Sequence, residues 1–237
     1  MHGEGAAGLP DADLPVGAAL PDWEPRPQPS RDALVGRHCR LESLDPERHA
    51  AALFEAFSHD PTGVGWTYLP YGPFSRADEF RAWAQEMASR DDPLFFAIVD
   101  ANGHAVGVAS YLRIDPAMGS IEVGHIRYSP LLQRTRAATE AMYMMARRAF
   151  DELGYRRYEW KCDDLNLASR RAAERLGFKY EGTFRQDKIY KGRNRDTAWY
   201  SITDVEWPAV RAALEAWLDP SNFDEQGAQH KRLAPPK

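Results

Sequence analysis

The fold of this chain is decided by Glu122-Val-Gly-His-Ile-Arg-Tyr128 and the stretch that follows it, Ser129-Pro-Leu-Leu-Gln-Arg-Thr-Arg-Ala-Ala-Thr-Glu140. The first segment predicts a β-strand, and the second predicts a basic turn that opens an amphipathic helix over about 137–152. A strand at 157–162 and a helix at 167–176 follow. A basic turn at a helix start presents free backbone N–H groups and the positive end of the helix dipole, which together suit a phosphate.

The rest of the chain continues the alternation of strands and helices. Before the decisive stretch, the pattern predicts a strand at 35–41, a helix at 46–57, and two strands at 94–99 and 105–114. After it come a closing hairpin, over 178–203, and a last helix at 206–218. This alternation is typical of one mixed α/β domain, which we place at 35–218.

The two ends of the chain differ in composition from this domain. Residues 1–34 contain six prolines and little apolar periodicity, which predicts a flexible or extended arm. Residues 219–237 follow the last predicted helix without a periodic pattern, and we interpret them as a flexible tail.

The overall composition is that of an ordinary globular protein, with 43% hydrophobic and 27% charged residues. No apolar run approaches the roughly 20 residues of a membrane span, so no membrane partner is predicted. The N-terminus lacks the apolar segment of a secretory signal. Cys39 and Cys162 are too few for a disulfide framework or a metal-ligand cluster, which favours a cytoplasmic setting and no bound metal.

The charge is unevenly distributed along the chain. Residues 127–195 contain 17 Lys and Arg against 9 Asp and Glu, although the whole chain has a net charge of −5. A basic segment in an acidic protein favours a small anionic ligand and disfavours nucleic acid, which usually binds a domain that is basic throughout. A solvated charged surface is the alternative interpretation.

Three motifs in the middle of the chain resemble the core of the GNAT acetyltransferase superfamily. They are Gln133-Arg-Thr-Arg-Ala-Ala138, Asn166-Leu-Ala-Ser169 and Gly177-Phe-Lys-Tyr-Glu-Gly182. The resemblance extends over 36–204, is specific over 119–182, and is strongest to the branch of ribosomal-protein N-terminal acetyltransferases. It implies a mixed, mostly antiparallel twisted sheet that is split between two central parallel strands and flanked by helices.

The resemblance also implies acetyl-CoA as cosubstrate. Its pyrophosphate would bind the backbone amides of the basic turn, which belong to Arg134, Thr135, Arg136, Ala137, Ala138 and Thr139. The family usually has glycine where Arg136 stands, but an amide donor does not require glycine. The preceding strand would bulge, and its backbone at Ile126, Arg127 and Tyr128 would pair with the pantetheine arm. Asn166 and Ser169 would contact the same arm.

The resemblance suggests a general acid and leaves the base open. Much of the superfamily has a tyrosine four residues before the Gly-Phe pair, but that position is Ala173 here. In the resembled branch the serine of the Asn-x-x-Ser motif takes this role, which points to Ser169; helix capping alone is the alternative. Glu122 is the candidate base, acting directly or through a water, and Asp187 or delivery of a neutral amine are alternatives. Strand alternation predicts that His125 points away from Glu122.

An aromatic loop would wall the acceptor side of the cleft by its family position. Its four aromatic residues are Trp66, Tyr68, Tyr71 and Phe74. A loop that only packs on itself is the alternative. The basic turn at 191–196 would suit an acceptor with a carboxylate.

These observations predict an acetyl-CoA-dependent N-acetyltransferase. Its acceptor would be the primary amine of a protein N-terminus or of a small molecule, and transfer would be direct. The alternative is a non-catalytic acyl-CoA-binding or regulatory module of the same fold. A homodimer is compatible with either interpretation.

Overall fold

An eight-stranded sheet forms the centre of the protein. The computed structural model describes residues 15–234. Its strands are β1 (Leu34–Val35), β2 (Cys39–Ser43), β3 (Leu94–Asp100), β4 (Ala105–Asp115), β5 (Ser120–Tyr128), β6 (Arg157–Asp163), β7 (Lys179–Tyr190) and β8 (Arg193–Thr203). Their spatial order is β1-β2-β3-β4-β5-β6-β8-β7, and only β5 and β6 pair in parallel. The predicted fold class, a mostly antiparallel mixed sheet with two central parallel strands, is confirmed.

Five α-helices in the described part of the chain flank this sheet. They are α1 (Pro46–Ser58), α2 (Ala77–Ala88), α3 (Arg136–Arg147), α4 (Leu167–Arg175) and α5 (Trp207–Leu218). A π-helical turn extends α3 over Arg148–Glu152 before Gly154, at φ 71°, ends it. The helix predicted over 137–152 is therefore present, with its last turn widened.

Apolar residues cover both faces of the sheet because side chains alternate along each strand. Phe96 on β3 and Val123 on β5 belong to the core beneath α3 and α5, whereas Phe95 belongs to the core beneath α1 and α2. The site described below lies where these two layers meet, at the end of β5.

The two parallel strands separate partway along their length. They pair over four residues, from Ser120 with Arg157 to Val123 with Trp160, and β5 then continues to Tyr128 without a partner on that side. On the other side, Val108 pairs with Arg127 and Ser110 with Gly124, so β5 holds one extra residue. His125, at φ 50°, lies in this bulge.

The bulge also corrects one expectation. Its extra residue resets the alternation of side chains, and His125 packs against Tyr71 and Phe95, with ring centroids 5.6 and 5.2 Å apart. Glu122 lies on this same face because its neighbours Ile121 and Val123 point into the opposite core. The expectation that His125 points away from Glu122 is wrong, since alternation holds only in an unbroken strand.

The described residues outside the predicted domain, 15–34 and 219–234, lie against it. Trp23 Nε1 donates to Ala117 O at 2.8 Å, and the Tyr155 hydroxyl donates to Pro27 O at 3.1 Å. At the other end, Trp217 Nε1 donates to Gln229 Oε1 at 2.8 Å. The parts of the predicted arm and tail at 1–14 and 235–237 lie outside the described residues. Over 15–234, every helix is too short or too polar to cross a membrane.

Candidate active site

The start of α3 offers backbone donors beside the separated strands. Thr135 is its N-cap, and Thr135 Oγ1 accepts from Ala138 N at 3.2 Å. Across the described part of the chain, no hydrogen bond engages the amides of Arg134, Arg136 and Ala137. Arg134 adopts a left-handed conformation, at φ 62°, which turns the chain into the helix. These three amides and the helix dipole favour an anion at this end of α3.

Two other predicted anchor groups are already engaged. The Ala138 amide serves the N-cap, and the Thr135 amide donates to Leu132 O at 3.3 Å. The donors that the turn can offer are therefore a subset of the six predicted residues.

The unpaired side of β5 exposes backbone groups of Ile126 and Tyr128. Ser129 N donates to Val106 O at 3.1 Å, which makes Ser129 and, by alternation, Arg127 the residues that hydrogen-bond to β4. Ile126 and Tyr128 consequently direct their amides towards the opening. The Tyr128 carbonyl already accepts from Gln133 Nε2 at 3.3 Å and from the Arg127 guanidinium.

Arg127 holds the aromatic loop in place. Its side chain is 2% exposed and pairs with Asp60, with 2.9 Å between Nη2 and Oδ2. The guanidinium also lies 4.9 Å from the ring centroids of Phe57 and Trp66. Gly65 permits this approach, because a Cβ there would lie 2.5 Å from Arg127 Cζ. Arg127 was predicted only as a backbone contact, and its side chain instead joins the loop to β5.

The four loop aromatics divide into two pairs. Trp66 and Phe74 pack on each other, with ring centroids 5.4 Å apart, and on α1 and α2. Tyr68 donates from its hydroxyl to Leu165 O at 3.2 Å, and the Tyr71 hydroxyl lies 2.9 Å from His125 Nδ1. Tyr68 and Tyr71 therefore reach the cleft side, while Trp66 and Phe74 support the loop from within.

Ser169 lies at the start of α4 with its hydroxyl oxygen occupied. Trp160 Nε1 donates to Ser169 Oγ at 2.9 Å, and Ser169 N donates to the Asn166 side chain at 3.1 Å. Burial raises the pKa of the neighbouring Cys162 thiol, and the Ser169 hydroxyl opposes that rise. Because the indole N–H donates a hydrogen bond to Oγ, the Ser169 hydroxyl keeps its own hydrogen for another acceptor, and the Cys162 sulfur is one such acceptor within reach. Sequence reasoning missed Trp160, which no local pattern links to α4.

Glu122 is buried at the closed end of the strand separation. Its carboxylate oxygen Oε2 lies 3.1 Å from Lys161 Nζ and 3.1 Å from Arg113 Nε. Burial raises the pKa of Glu122, while the charges of Lys161 and Arg113 oppose the rise. The other candidate carboxylate, Asp187, is exposed on β7.

His125 is uncharged at neutral pH. Burial, together with the positive charges of Lys188 and Arg195, lowers its pKa to about 4. The imidazole therefore acts as a polar but neutral wall between Tyr71 and the open end of β5.

The sequence itself matches a known protein family. The Acetyltransferase (GNAT) domain family matches residues 38–179, more than half of the 237-residue chain. The chain therefore belongs to the GNAT acetyltransferase family, and it is an N-acetyltransferase. The predicted resemblance is confirmed.

Individual relatives agree with this assignment. A GCN5-related N-acetyltransferase from Brucella melitensis superimposes with a TM-score of 0.89 and 49% identity, over 90% of this chain and 97% of that one. A curated relative from Bacillus subtilis (strain 168), named Putative ribosomal N-acetyltransferase YdaF, is 26% identical over 179 residues, 73% of this chain and 95% of its own. The microcin C7 self-immunity acetyltransferase MccE, solved with acetyl-CoA and AMP, shares the fold alone, with a TM-score of 0.63 and 19% identity over 71% of this chain and 93% of its own.

The buried pair of Arg127 and Asp60 generates a stability prediction. Replacing Arg127 with Met leaves the Asp60 carboxylate half-buried without its cation, and we expect a loss of about 3 kcal/mol in the free energy of unfolding. Urea denaturation measures this loss. As a control, Arg90→Ala breaks the exposed pair with Glu86 and should cost no more than about 1 kcal/mol. Equal effects of the two variants would contradict a structural role for Arg127.

Proposed function

We propose that this protein transfers the acetyl group of acetyl-CoA directly to a primary amine, either of a protein N-terminus or of a small molecule. The observation that carries the proposal is the separation of β5 from β6 after Val123 and Trp160, beside the free amides of α3. A separated parallel pair leaves strand donors and acceptors that an extended ligand can use, and the helix start next to it suits a phosphate.

The residues present suit acetyl-CoA. The amides of Arg134, Arg136 and Ala137 would hold the pyrophosphate, and the backbone of Ile126 and Tyr128 would hold the pantetheine arm. When bound, acetyl-CoA supplies the thioester whose acetyl group moves to the amine. An amide of Ile126 or Tyr128 would donate to the carbonyl oxygen and stabilise the charge that develops on it.

Two side chains would move the protons of the reaction. Glu122 would accept a proton from the attacking amine, directly or through a water, while the C–N bond forms. Ser169 would give its hydroxyl proton to the CoA sulfur as the C–S bond breaks, and solvent would restore it. The indole of Trp160 supports this role, because its N–H stabilises the oxygen that loses the proton.

The acceptor would enter from the side of the aromatic loop. Tyr68, Tyr71 and the neutral His125 line that side and would exclude water around an uncharged amine. The name of the Bacillus relative supports a protein N-terminus as one acceptor class. Asn166 would contact the pantetheine arm from the opposite side of the cleft.

The setting of this activity is part of the proposal. The buried free thiols of Cys39 and Cys162 support a reducing compartment, and we propose the cytoplasm. We place the catalytic unit at 35–218, with the described terminal residues, 15–34 and 219–234, packed against it.

The anchor can be tested at the first residue of α3. Arg136→Pro removes one amide donor but suits the helix, since Thr135 before it is extended, at φ −92° and ψ 164°. Arg136→Ala removes the same side chain and keeps the amide. We expect CoA to bind about tenfold more weakly to the proline variant than to the alanine variant, as calorimetry measures. Equal affinities would remove this amide from the anchor.

The activity and the general acid can be tested together. Free-thiol release from acetyl-CoA, measured against a pooled panel of amines and N-terminal peptides, should show turnover. Ser169→Ala should lower kcat about 10²-fold with little change in CoA affinity, because the hydroxyl acts on the leaving group. Ser169→Thr keeps a hydroxyl and serves as the control. CoA binding without turnover on any acceptor would instead support the non-catalytic module.

The base can be tested by the dependence of kcat on pH. A general base acts only when it is deprotonated, so wild-type kcat should fall as the pH drops through the pKa of Glu122. Burial raises that pKa above the usual glutamate value of roughly 4.3. Glu122→Gln should lower kcat and abolish this acidic limb. Glu159→Gln is the matched control, since Glu159 contacts the same Lys161, at 2.6 Å. A limb that persists in Glu122→Gln would reassign the base to Asp187, a water or the amine itself.

A further inference from the structure

Two cations face each other on the closing hairpin without a carboxylate between them. Lys188 on β7 pairs directly with Arg195 on β8, and both side chains are half-buried. Within residues 15–234, neither forms a salt bridge, and Arg195 Nε donates only to Thr197 Oγ1, at 3.1 Å. Like charges directly opposite each other in a sheet are unfavourable, so this pair needs an explanation beyond the stability of the hairpin.

The pair lies on the face of the sheet that carries Glu122. Along β8, Ala198 and Tyr200 point into the core beneath α3, so Arg195 and Trp199 point to the other face. Lys161 Nζ lies 3.7 Å from the Trp199 ring centroid and 3.1 Å from Glu122, which joins that face to the candidate base. Lys188, as the direct partner of Arg195, projects on the same side.

The electrostatics agree with this placement. Burial lowers the pKa of Lys188, and the neighbouring positive charges of Arg113 and Arg195 also lower it. The negative charges of Glu122 and Asp187 act in the opposite direction. The same two cations, Lys188 and Arg195, act on His125 at the open end of β5. Lys188 is therefore close enough to interact with the proposed base Glu122, and both cations are close enough to act on His125 in the wall of the acceptor entrance.

We propose that Lys188 and Arg195 bind a carboxylate of the amine acceptor, which makes amines that carry a nearby carboxylate the preferred substrates. An anion between the two cations would remove their repulsion, and a guanidinium offers paired donors that match carboxylate geometry. The acceptor's amine would then be held towards Glu122. This inference rests on the proposed function, because it assigns the acceptor subsite of the same cleft.

Matched acceptors isolate the contribution of the carboxylate. Free amino acids are compared with their amides, and N-terminal peptides with Asp at the second position are compared with the same peptides carrying Asn. The ratio of kcat/KM for the charged and the neutral member of each pair is measured in wild type, Lys188→Gln and Arg195→Gln. Comparing ratios cancels the intrinsic reactivity of each amine. The exposed cation Arg185, also on β7, gives the control variant Arg185→Gln.

The expected result is a ratio about tenfold lower in Lys188→Gln and Arg195→Gln than in wild type and in Arg185→Gln. The amino-acid arm and the peptide arm show which source of carboxylate the site takes. Equal ratios in all four proteins, in both arms, would overturn the inference.

Calorimetric binding of the same acceptors to the CoA-saturated protein gives a readout that does not require turnover. Carboxylate-dependent binding that is lost in Lys188→Gln would support the subsite even if no thiol is released, in which case only the proposed function fails. Binding that does not distinguish acid from amide would overturn the subsite and leave acetyl transfer intact.

Discussion

The structure depends on a parallel strand pair that is interrupted. Two neighbouring strands normally satisfy each other's backbone groups along their whole length, but β5 and β6 pair over only four residues. The bulge at His125 bends β5 away, and the backbone beyond it faces an opening in the middle of the sheet. Every proposed element of the site borders this opening: the start of α3, the start of α4, the aromatic loop and the closing hairpin.

Buried charges hold the borders of the opening in position. On one side, the Arg127 guanidinium binds Asp60 and lies between aromatic rings, which fixes the loop that carries Tyr68 and Tyr71. On the other side, the buried Glu140 carboxylate accepts from the backbone amides of Arg37, His38 and Cys39 at 2.9, 2.6 and 3.0 Å. Glu140 thereby attaches α3, whose start is the proposed anchor, to the edge of β2. Because an unpartnered buried charge is costly, such contacts favour a single arrangement.

The proposed acid and base lie in different environments, because one must give up a proton and the other must accept one. Glu122 is buried among cations at the closed end, where burial raises its pKa and favours proton uptake. Ser169 lies in the first turn of α4, where Trp160 Nε1 donates to its hydroxyl oxygen, so the hydroxyl keeps its own proton for donation. His125 lies on the face that carries Glu122 and is neutral, so it adds no positive charge beside an incoming amine.

The sequence by itself determined the parts of this protein that arise from local interactions. The strand and helix order, the Asn166 cap and the basic turn before α3 follow from periodicity and from contacts between residues a few positions apart. The tertiary structure alone decided which side chains meet. Arg127 reaches Asp60 across 67 positions of the chain, Trp160 reaches Ser169 from another element, and Lys188 faces Arg195 only because the hairpin register pairs them. The bulge had the largest effect, because one extra residue moved His125 to the face of Glu122, and strand periodicity carries no information about where such an irregularity lies.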